Sequence, residues 1–348
     1  MNTPQLEKYI LEYVWLDGNG QLRSKMKTWF RSSNETLKND IPVWNYDGSS
    51  TGQATRKNSE ILLIPKVIFK NPLFTLNLNL EKSMSYLVWC QVTTPDGYSV
   101  KGDNFHVAEK IFKRYKDQIP WYGLEQEFFL VPVCTGKFDV LDYEKQVDSH
   151  YCGTGDVDYV ERIIMAKFYK ACLSIDLNIS GINAEVAPHQ WEFQIGPSVG
   201  INASCEMYIA RYLLERISTD HNYYVNYHPK PYKGDINGSG CHTNFSTKSM
   251  REEGGMDVIK NAINKLSKKH DEHMEVYGKD NDKRMTGDHE SSVFSEFTWG
   301  IASRGTSIRI PRQVSIDGKG YFEDRRPASN CDPYLVTSKI LETVMEGE

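Results

Sequence analysis

The chain is 348 residues long, with 39% hydrophobic and 25% charged residues and a formal net charge of -5. These proportions are those of an ordinary globular protein with room for one large or two medium domains. Lys and Arg are interspersed with acids, without the basic stripe of a nucleic-acid binder, and no apolar run approaches the roughly 18 residues of a membrane span.

The start, Met1-Asn2-Thr3-Pro4-Gln5, lacks the basic and apolar regions of a secretory signal. Tyr9 to Leu16 is apolar and β-prone, and Asp17-Gly18-Asn19-Gly20 turns the chain. Ile61 to Phe69 and Ser85 to Val92 read as further strands, and Thr94-Pro95-Asp96-Gly97 is a turn beside which we expect a domain boundary, 1–98 against 99–348. Beyond it the period changes. Val107, Ile111 and Tyr115 predict a helix within Asn104 to Lys116; Val160, Ile163, Ile164, Phe168 and Ala171 predict a second; Met207, Ala210, Leu214 and Ile217 a third. Ile259, Ala262, Ile263, Leu266, Met274 and Tyr277 predict one long fourth helix stopped by Gly278. Alternating segments lie between the helices, so the larger part reads as α+β with a mainly antiparallel sheet. Seven cysteines, at 90, 134, 152, 172, 205, 241 and 331, show no Cys-x-x-Cys spacing. Free thiols in a reducing cytoplasm are expected.

Several segments carry candidate chemistry. In Glu125-Gln126-Glu127 the two carboxylates are i and i+2; on a strand they share a face about 6–7 Å apart, with Leu124, Gln126 and Phe128 opposite. Such a pair repels unless a cation neutralises it; a solvated strand face is the plainer alternative. From Gln190 to Ile195 polar and apolar residues alternate, which puts Glu192 on one face with Gln190 and Gln194, and Pro188 in the connection allows Glu185 to fold back towards it. Asn237-Gly238-Ser239-Gly240 runs into Cys241-His242-Thr243-Asn244-Phe245-Ser246, where His242, Asn244 and Ser246 share a face and the small residues admit close backbone approach. There is no G-x-x-x-x-G-K-[ST] phosphate loop. Arg284, Arg304, Arg309, Arg325 and Arg326 offer forks for carboxylate or phosphate oxygens, or simple surface ion pairs, and Glu323 and Arg325 would face one site. Trp44 to Gly52 is, by composition, only a turn with helix-cap character.

Taken together, Trp44 to Gly52, Pro120 to Glu127, Tyr151-Cys152-Gly153, Tyr169 to Ser198, Lys230-Pro231, Gly238 to Met250, Arg284 to Glu290 and Gly320 to Tyr334 closely resemble glutamine synthetase of the eukaryotic-like type (type II), over nearly the whole chain and in the family's order. The resemblance implies a small N-terminal β-grasp domain and a larger catalytic α/β domain. It implies ligation of ammonia to L-glutamate with ATP, through a γ-glutamyl phosphate, in a cytoplasmic homo-oligomer of stacked pentameric rings (a decamer) whose sites lie between subunits. It implies two or three Mg²⁺ or Mn²⁺ ions per site: Glu125, His242 and Glu323 on one, Glu127, Glu185 and Glu192 on that bridging to the ATP phosphates. By the same resemblance Arg284, Arg304 and Arg325 grip glutamate or the transferring phosphoryl group. Asn237, Gly238 and Gly240 form the glutamate pocket, and Ser246, Arg309 and Tyr321 contact the nucleotide. Asp47 deprotonates ammonium in a neighbour's site, and Glu290 closes over the acyl phosphate. No nucleic-acid or membrane partner is expected.

Four departures from the family pattern stand out. The leader before the first strand is short, and residues 131–150, which border the expected nucleotide site, lack the usual Gly/Pro/Trp-rich stretch. Glu60 stands where Asp is usual and His189 where a small residue is usual. Two other readings stand beside it: a ligase that keeps the metals and phosphate clamp but joins glutamate to a different amine, against which Asp47 argues mildly, and a non-catalytic ring scaffold, which should have lost some of Glu125, Glu127, Glu185, Glu192, His242, Glu323 or Arg325, whereas none is lost.

Overall fold

The computed structural model describes residues 6–32, 40–77, 84–133, 150–155 and 158–347. The chain divides into two compact units, Met1–His106 with Ser174–Asp176, and Val107–Leu173 with Leu177–Glu348.

The first unit is built on a five-stranded mixed sheet. Its strands are β1 (Leu6–Leu16), β2 (Leu22–Ser32), β3 (Trp44–Asp47), β4 (Glu60–Lys70) and β5 (Met84–Thr93), in the order β2-β1-β5-β4-β3, with a short helix α1 (Pro72–Asn77) between β4 and β5. β1 and β5 run parallel and the other pairs antiparallel. The period of two sends Tyr9, Leu11, Tyr13 and Trp15 into one core with Ile61, Leu63, Val88, Cys90 and Val92. The Asp17 carboxylate shapes the first turn by accepting from the amides of Asn19 (2.8 Å) and Gln21 (3.0 Å). β2 had no clear sequence signal because it is an edge strand with Met26 and Phe30 exposed, held by its pairing along β1.

The second unit holds an eight-stranded sheet. β6 (Trp121–Pro132), β7 (Ile179–Ala184), β8 (Gln190–Val199), β10 (Cys241–Ser246), β11 (Trp299–Ile301), β12 (Ile308–Ile310) and β13 (Phe322–Asp324) run in the order β11-β12-β13-β10-β6-β8-β7, and β9 (Tyr223–Asn226) pairs with β6. All pairs are antiparallel except β11 with β12. The expected helices are α2 (Phe105–Arg114), α3 (Tyr159–Ser174) and α4 (Asn202–Asp220). α4 packs on β6, β8 and β9, and α8 (Pro333–Met345) packs on α4. Tyr122, Leu124, Gln126 and Phe128 of β6 are buried on that helical side, where the Tyr122 hydroxyl donates to the Thr337 carbonyl of α8 at 2.8 Å.

The predicted fourth helix differs. It breaks at Lys269 into α5 (Gly255–Lys268) and α6 (His270–Met274), although all six predicted apolar positions are buried. After the break, His270 meets the Phe294 carbonyl at 2.9 Å and His273 bridges Tyr277 Oη (2.7 Å) and Thr343 Oγ1 (2.9 Å). These tertiary contacts, invisible to periodicity, hold the second segment. α7 (Arg312–Asp317) precedes β13. The two mixed sheets with helices form an α+β fold.

Candidate active site

Strand register assembles the site. Glu125 and Glu127 leave β6 on the face away from α4. Across the antiparallel pairs, His242 of β10 is opposite Glu125, and Glu192 of β8 is opposite Glu127. β13 adds Glu323, opposite Asn244 of β10 and Arg309 of β12. His242 Nδ1 then lies 3.7 Å from Glu125, 3.9 Å from Glu127 and 3.6 Å from Glu323. Two groups have all their ligand atoms within 4.8 Å of one another: Glu125, His242 and Glu323, and Glu127, Glu192 and His242. The first group is the one expected for one metal. The second contains His242, whereas the expected set had Glu185 with Glu127 and Glu192. Glu185 lines the same cavity of about 280 Å³ as all these residues except Glu323.

The electrostatics of the site call for a cation. Burial, then the charges of neighbouring carboxylates, push Glu127 up to about 8 and Glu192 up to about 9; burial likewise raises Glu185 to about 7. Burial, then the Arg325 charge, holds His242 well below the ordinary histidine range, so its imidazole is neutral, the form that can accept a metal ion. Carboxylate oxygens with one imidazole suit Mg²⁺ or Mn²⁺, the imidazole favouring Mn²⁺. The residues present therefore fit the divalent ions that the resemblance implies.

Amides orient the carboxylates. Gly240 N donates to Glu127 Oε2 (2.7 Å), Asn244 Nδ2 to Glu125 Oε1 (2.7 Å) and Asn183 Nδ2 to Glu185 Oε1 (2.9 Å). Gln194 Nε2 donates to Glu192 and, at 2.8 Å, to Asn183 Oδ1, and Gln190 Nε2 reaches Glu127 Oε2 at 3.4 Å. Alternation had placed Gln190, Gln194 and Asn244 on the correct faces, but nothing in the sequence marked them as holders of the acids. Tyr151, His289 and Ser291, which also line the cavity, carry no local pattern of their own.

Arg284, Arg304, Arg309 and Arg325 all reach the cavity. Arg325 and Arg309 grip Glu323 at 2.6 and 2.8 Å. Arg284 is fixed by Asn281 Oδ1 (2.9 Å) and the Arg326 carbonyl (2.7 Å), and burial lowers it to about 10, so it is still a cation at neutral pH. The glycines before β10 make room for it: a Cβ on Gly238 would meet Arg284 Cγ and the Pro229 carbonyl, each at 2.5 Å, and one on Gly240 would stand 3.0 Å from both Arg284 Nη1 and His242 Nε2. Asn237 lines the cavity beside them. Arg326 turns away to a fully buried pair with Asp324 at 2.7 Å. Glu290 sits at the rim, 3.5 Å from Arg304, with its carbonyl accepting from Arg325 Nη2 at 3.1 Å; His289 and Glu290 both have positive φ, +51° and +59°.

The remaining predicted residues lie outside this cavity's lining. Ser246 Oγ donates to the Gly320 carbonyl at 2.8 Å, and Tyr321 is partly exposed next to it in sequence. Ser246 is opposite Trp121 of β6, whose ring lies 4.1 Å from the Arg251 guanidinium. Asp47 belongs to the first unit. It caps the turn Gly48–Thr51, accepting from Ser49 N (3.0 Å), Ser49 Oγ (2.7 Å) and Ser50 Oγ (2.8 Å), and these bonds, Ser49 foremost, hold its carboxyl below the usual range. Of the divergent stretch 131–150, residues 134–149 lie outside the described residues.

Comparison with known proteins agrees with this geometry. Residues 102–347 match the family model described as glutamine synthetase, catalytic domain. The chain is 49% identical to a putative glutamine synthetase of Acanthamoeba polyphaga mimivirus over 340 residues, covering 97% of this chain and 95% of that protein. It is 48% identical to the glutamine synthetase nodule isozyme of Lupinus luteus over 97% of this chain and 95% of that one, and 47% identical to the cytosolic isozyme 1-1 of Oryza sativa subsp. japonica over 97% and 94%. In fold it resembles the cryo-electron microscopy structure of Plasmodium falciparum glutamine synthetase, with a TM-score of 0.75 at 16% identity, over 97% of this chain and 72% of that one. The chain belongs to the glutamine synthetase family, of the eukaryotic-like type.

Proposed function

We propose that the protein makes L-glutamine from L-glutamate and ammonia with ATP, releasing ADP and phosphate. The observation that carries this reading is the convergence of Glu125, Glu127, Glu192, His242 and Glu323 on one sheet face, beside four arginines, in a chain of this family.

Glu125, His242 and Glu323 would hold one divalent ion; Glu127 and Glu192, with Glu185 beside them, would hold the ion on the nucleotide side. When bound, Mg²⁺ or Mn²⁺ neutralises phosphate charge and lets these carboxylates ionise together. Arg284, preset by Asn281 and by the space above Gly238 and Gly240, receives the substrate carboxylate, with Asn237 beside it. Arg304, Arg309 and Arg325 stabilise charge on the phosphoryl group as it passes from ATP to the γ-carboxylate, giving γ-glutamyl phosphate. Ser246 and Tyr321 belong to the nucleotide end. Glu290 and Arg304 at the rim restrict water, which would otherwise hydrolyse the acyl phosphate. Asp47 of a neighbouring subunit takes a proton from ammonium, and the resulting ammonia attacks the acyl carbon and displaces phosphate.

This reading assigns residues 1–98 to a β-grasp domain and 99–348 to the catalytic domain, in a homo-oligomer of stacked pentameric rings. Some relatives are named cytosolic isozymes, which supports a cytoplasmic enzyme; among the described residues no helix is long and apolar enough to cross a membrane.

The test is glutamine formation from ATP, glutamate and ammonium with Mg²⁺ or Mn²⁺. Glutamine dependent on all three substrates is the expected result. A folded oligomer that makes none under either metal overturns the reading, and preferential use of methylamine or ethylamine would replace it with a different amine ligase.

A further inference from the structure

The side of the sheet opposite the cavity contains a buried cation that the reaction does not use. Arg211 of α4 is 6% exposed, and its hydrogen bonds go to neutral acceptors: Nε and Nη2 to Gln126 Oε1 (2.9 and 2.5 Å), Nη1 to the Cys331 carbonyl (3.0 Å) and Nη2 to the Ser329 carbonyl (3.1 Å). The Glu215 carboxyl, four residues along α4, and the Tyr227 ring, 5.2 Å away, temper the charge, but none of its hydrogen bonds goes to an anion, and burying a guanidinium costs solvation energy that a well-packed apolar side chain would avoid.

The bonds show what this charge does. With Oε1 occupied by Arg211, the Gln126 amide can point only one way, so Nε2 donates to the Glu127 carbonyl (2.7 Å) and the Ser329 carbonyl (3.1 Å). Ser329 Oγ donates to the same Glu127 carbonyl at 2.8 Å. The backbone of Glu127 is thereby held from behind while Gly240 N holds its carboxylate in front. The same guanidinium grips the 329–331 segment, a few residues after Glu323 and Arg325. One fork thus ties the strand carrying Glu125 and Glu127 to the chain leaving β13.

We propose that Arg211, acting through Gln126 and Ser329, is a positioning residue that sets the spacing of the carboxylates on the opposite face of the sheet. This rests on the reading that those carboxylates bind divalent ions. A lysine cannot reproduce the fork, since it presents a point charge without fixed planar donors. Partners that orient metal-binding residues without touching the metal typically alter affinity by about 10- to 100-fold.

The test is Mn²⁺ titration of the metal-free, assembled protein, read by electron paramagnetic resonance, for the unmodified chain, Arg211→Lys and Ser329→Ala. Arg211→Lys is expected to bind Mn²⁺ roughly 10-fold or more weakly. Ser329→Ala, which removes one hydroxyl, should shift affinity in the same direction by less. A purely structural role would lower the melting temperature of the metal-free variants but leave the Mn²⁺ affinity of the folded protein unchanged, and that result overturns the proposal. Should Arg211→Lys not assemble, unmodified affinity in Ser329→Ala is sufficient to overturn it. Failure of the unmodified protein to bind Mn²⁺ would instead strike the functional reading itself.

Discussion

Removing the metal should leave protons in its place. Glu127, Glu185 and Glu192 are pushed up to about 8, 7 and 9, chiefly by burial. At pH 7 groups with such values are about nine-tenths, half and almost wholly protonated, so the metal-free site carries roughly two protons that a divalent ion must displace. The three repel one another and titrate together, so the total is the quantity predicted. The sign follows from linkage. Through these three carboxyls the folded, metal-free protein binds more protons than the unfolded chain above pH 4.5, the ordinary glutamate value. Their contribution to stability therefore falls as pH rises towards about 9, while the metal affinity they give climbs over the same range. Calorimetric titration with Mn²⁺ at pH 7, in two buffers of different ionisation enthalpy, reads the number directly. Release of about two protons at pH 7, declining steadily to roughly half a proton by pH 9, is expected. Binding with no proton release at pH 7 would mean that the carboxylates are already ionised without the ion, and the electrostatic account of the site would be wrong.

Three further outcomes are expected. Asp47→Asn keeps an oxygen that can cap the Gly48 turn, so folding and ATP binding should survive, while ammonium-dependent turnover should fall by about 10²- to 10⁴-fold; calorimetric loss of ATP binding would refute the assigned role. Gly238→Ala drives a Cβ to 2.5 Å from Arg284 Cγ and the Pro229 carbonyl, and should lower kcat/KM for glutamate by roughly 10- to 100-fold; unchanged steady-state kinetics would separate Arg284 from glutamate binding. The buried Glu161 carboxylate is 2.5 Å from His189 Nδ1; burial opposes the His189 cation, but the Glu161 bond and charge, with Asp158, outweigh it and raise its pKa. That pair's stabilisation is complete below the unfolded value of 6.5 and is lost as pH rises through the folded value. The melting-temperature gap between the unmodified protein and His189→Asn should therefore shrink between pH 6 and pH 9, and a constant gap would refute the charge pairing.

How much of this was legible in the sequence follows from the range of each interaction. Pairing of Glu125 with Glu127 is local, and β6 keeps it because a strand repeats every two residues. The same holds for Glu192 with Gln190 and Gln194, and for the buried stripe of α4. Residues 9–16 and 61–69 were likewise legible as strands, while β2, with exposed Met26 and Phe30, was not. α8 escaped notice for the opposite reason: Thr337, Ser338 and Thr343 are as buried as Val336 and Ile340, so no polar face marks it as a helix.

Register between strands is the step that local pattern cannot supply. Nothing in Glu125-Gln126-Glu127 says that His242 will stand opposite Glu125, or that Glu192 will stand opposite Glu127, yet the cluster of acids around His242 consists of those two pairings and the arrival of Glu323. A slip of one residue in any of them would turn its acid to the helical side. The bonds that oppose such a slip lie on that side, where Tyr122 reaches Thr337 and Gln126 reaches Arg211 and Ser329. The family resemblance could gather these residues into one site from short motifs because it carries the registers with it. The residues that hold those registers, Gln126 among them, sit inside the motifs and look like filler until the sheet is seen from behind.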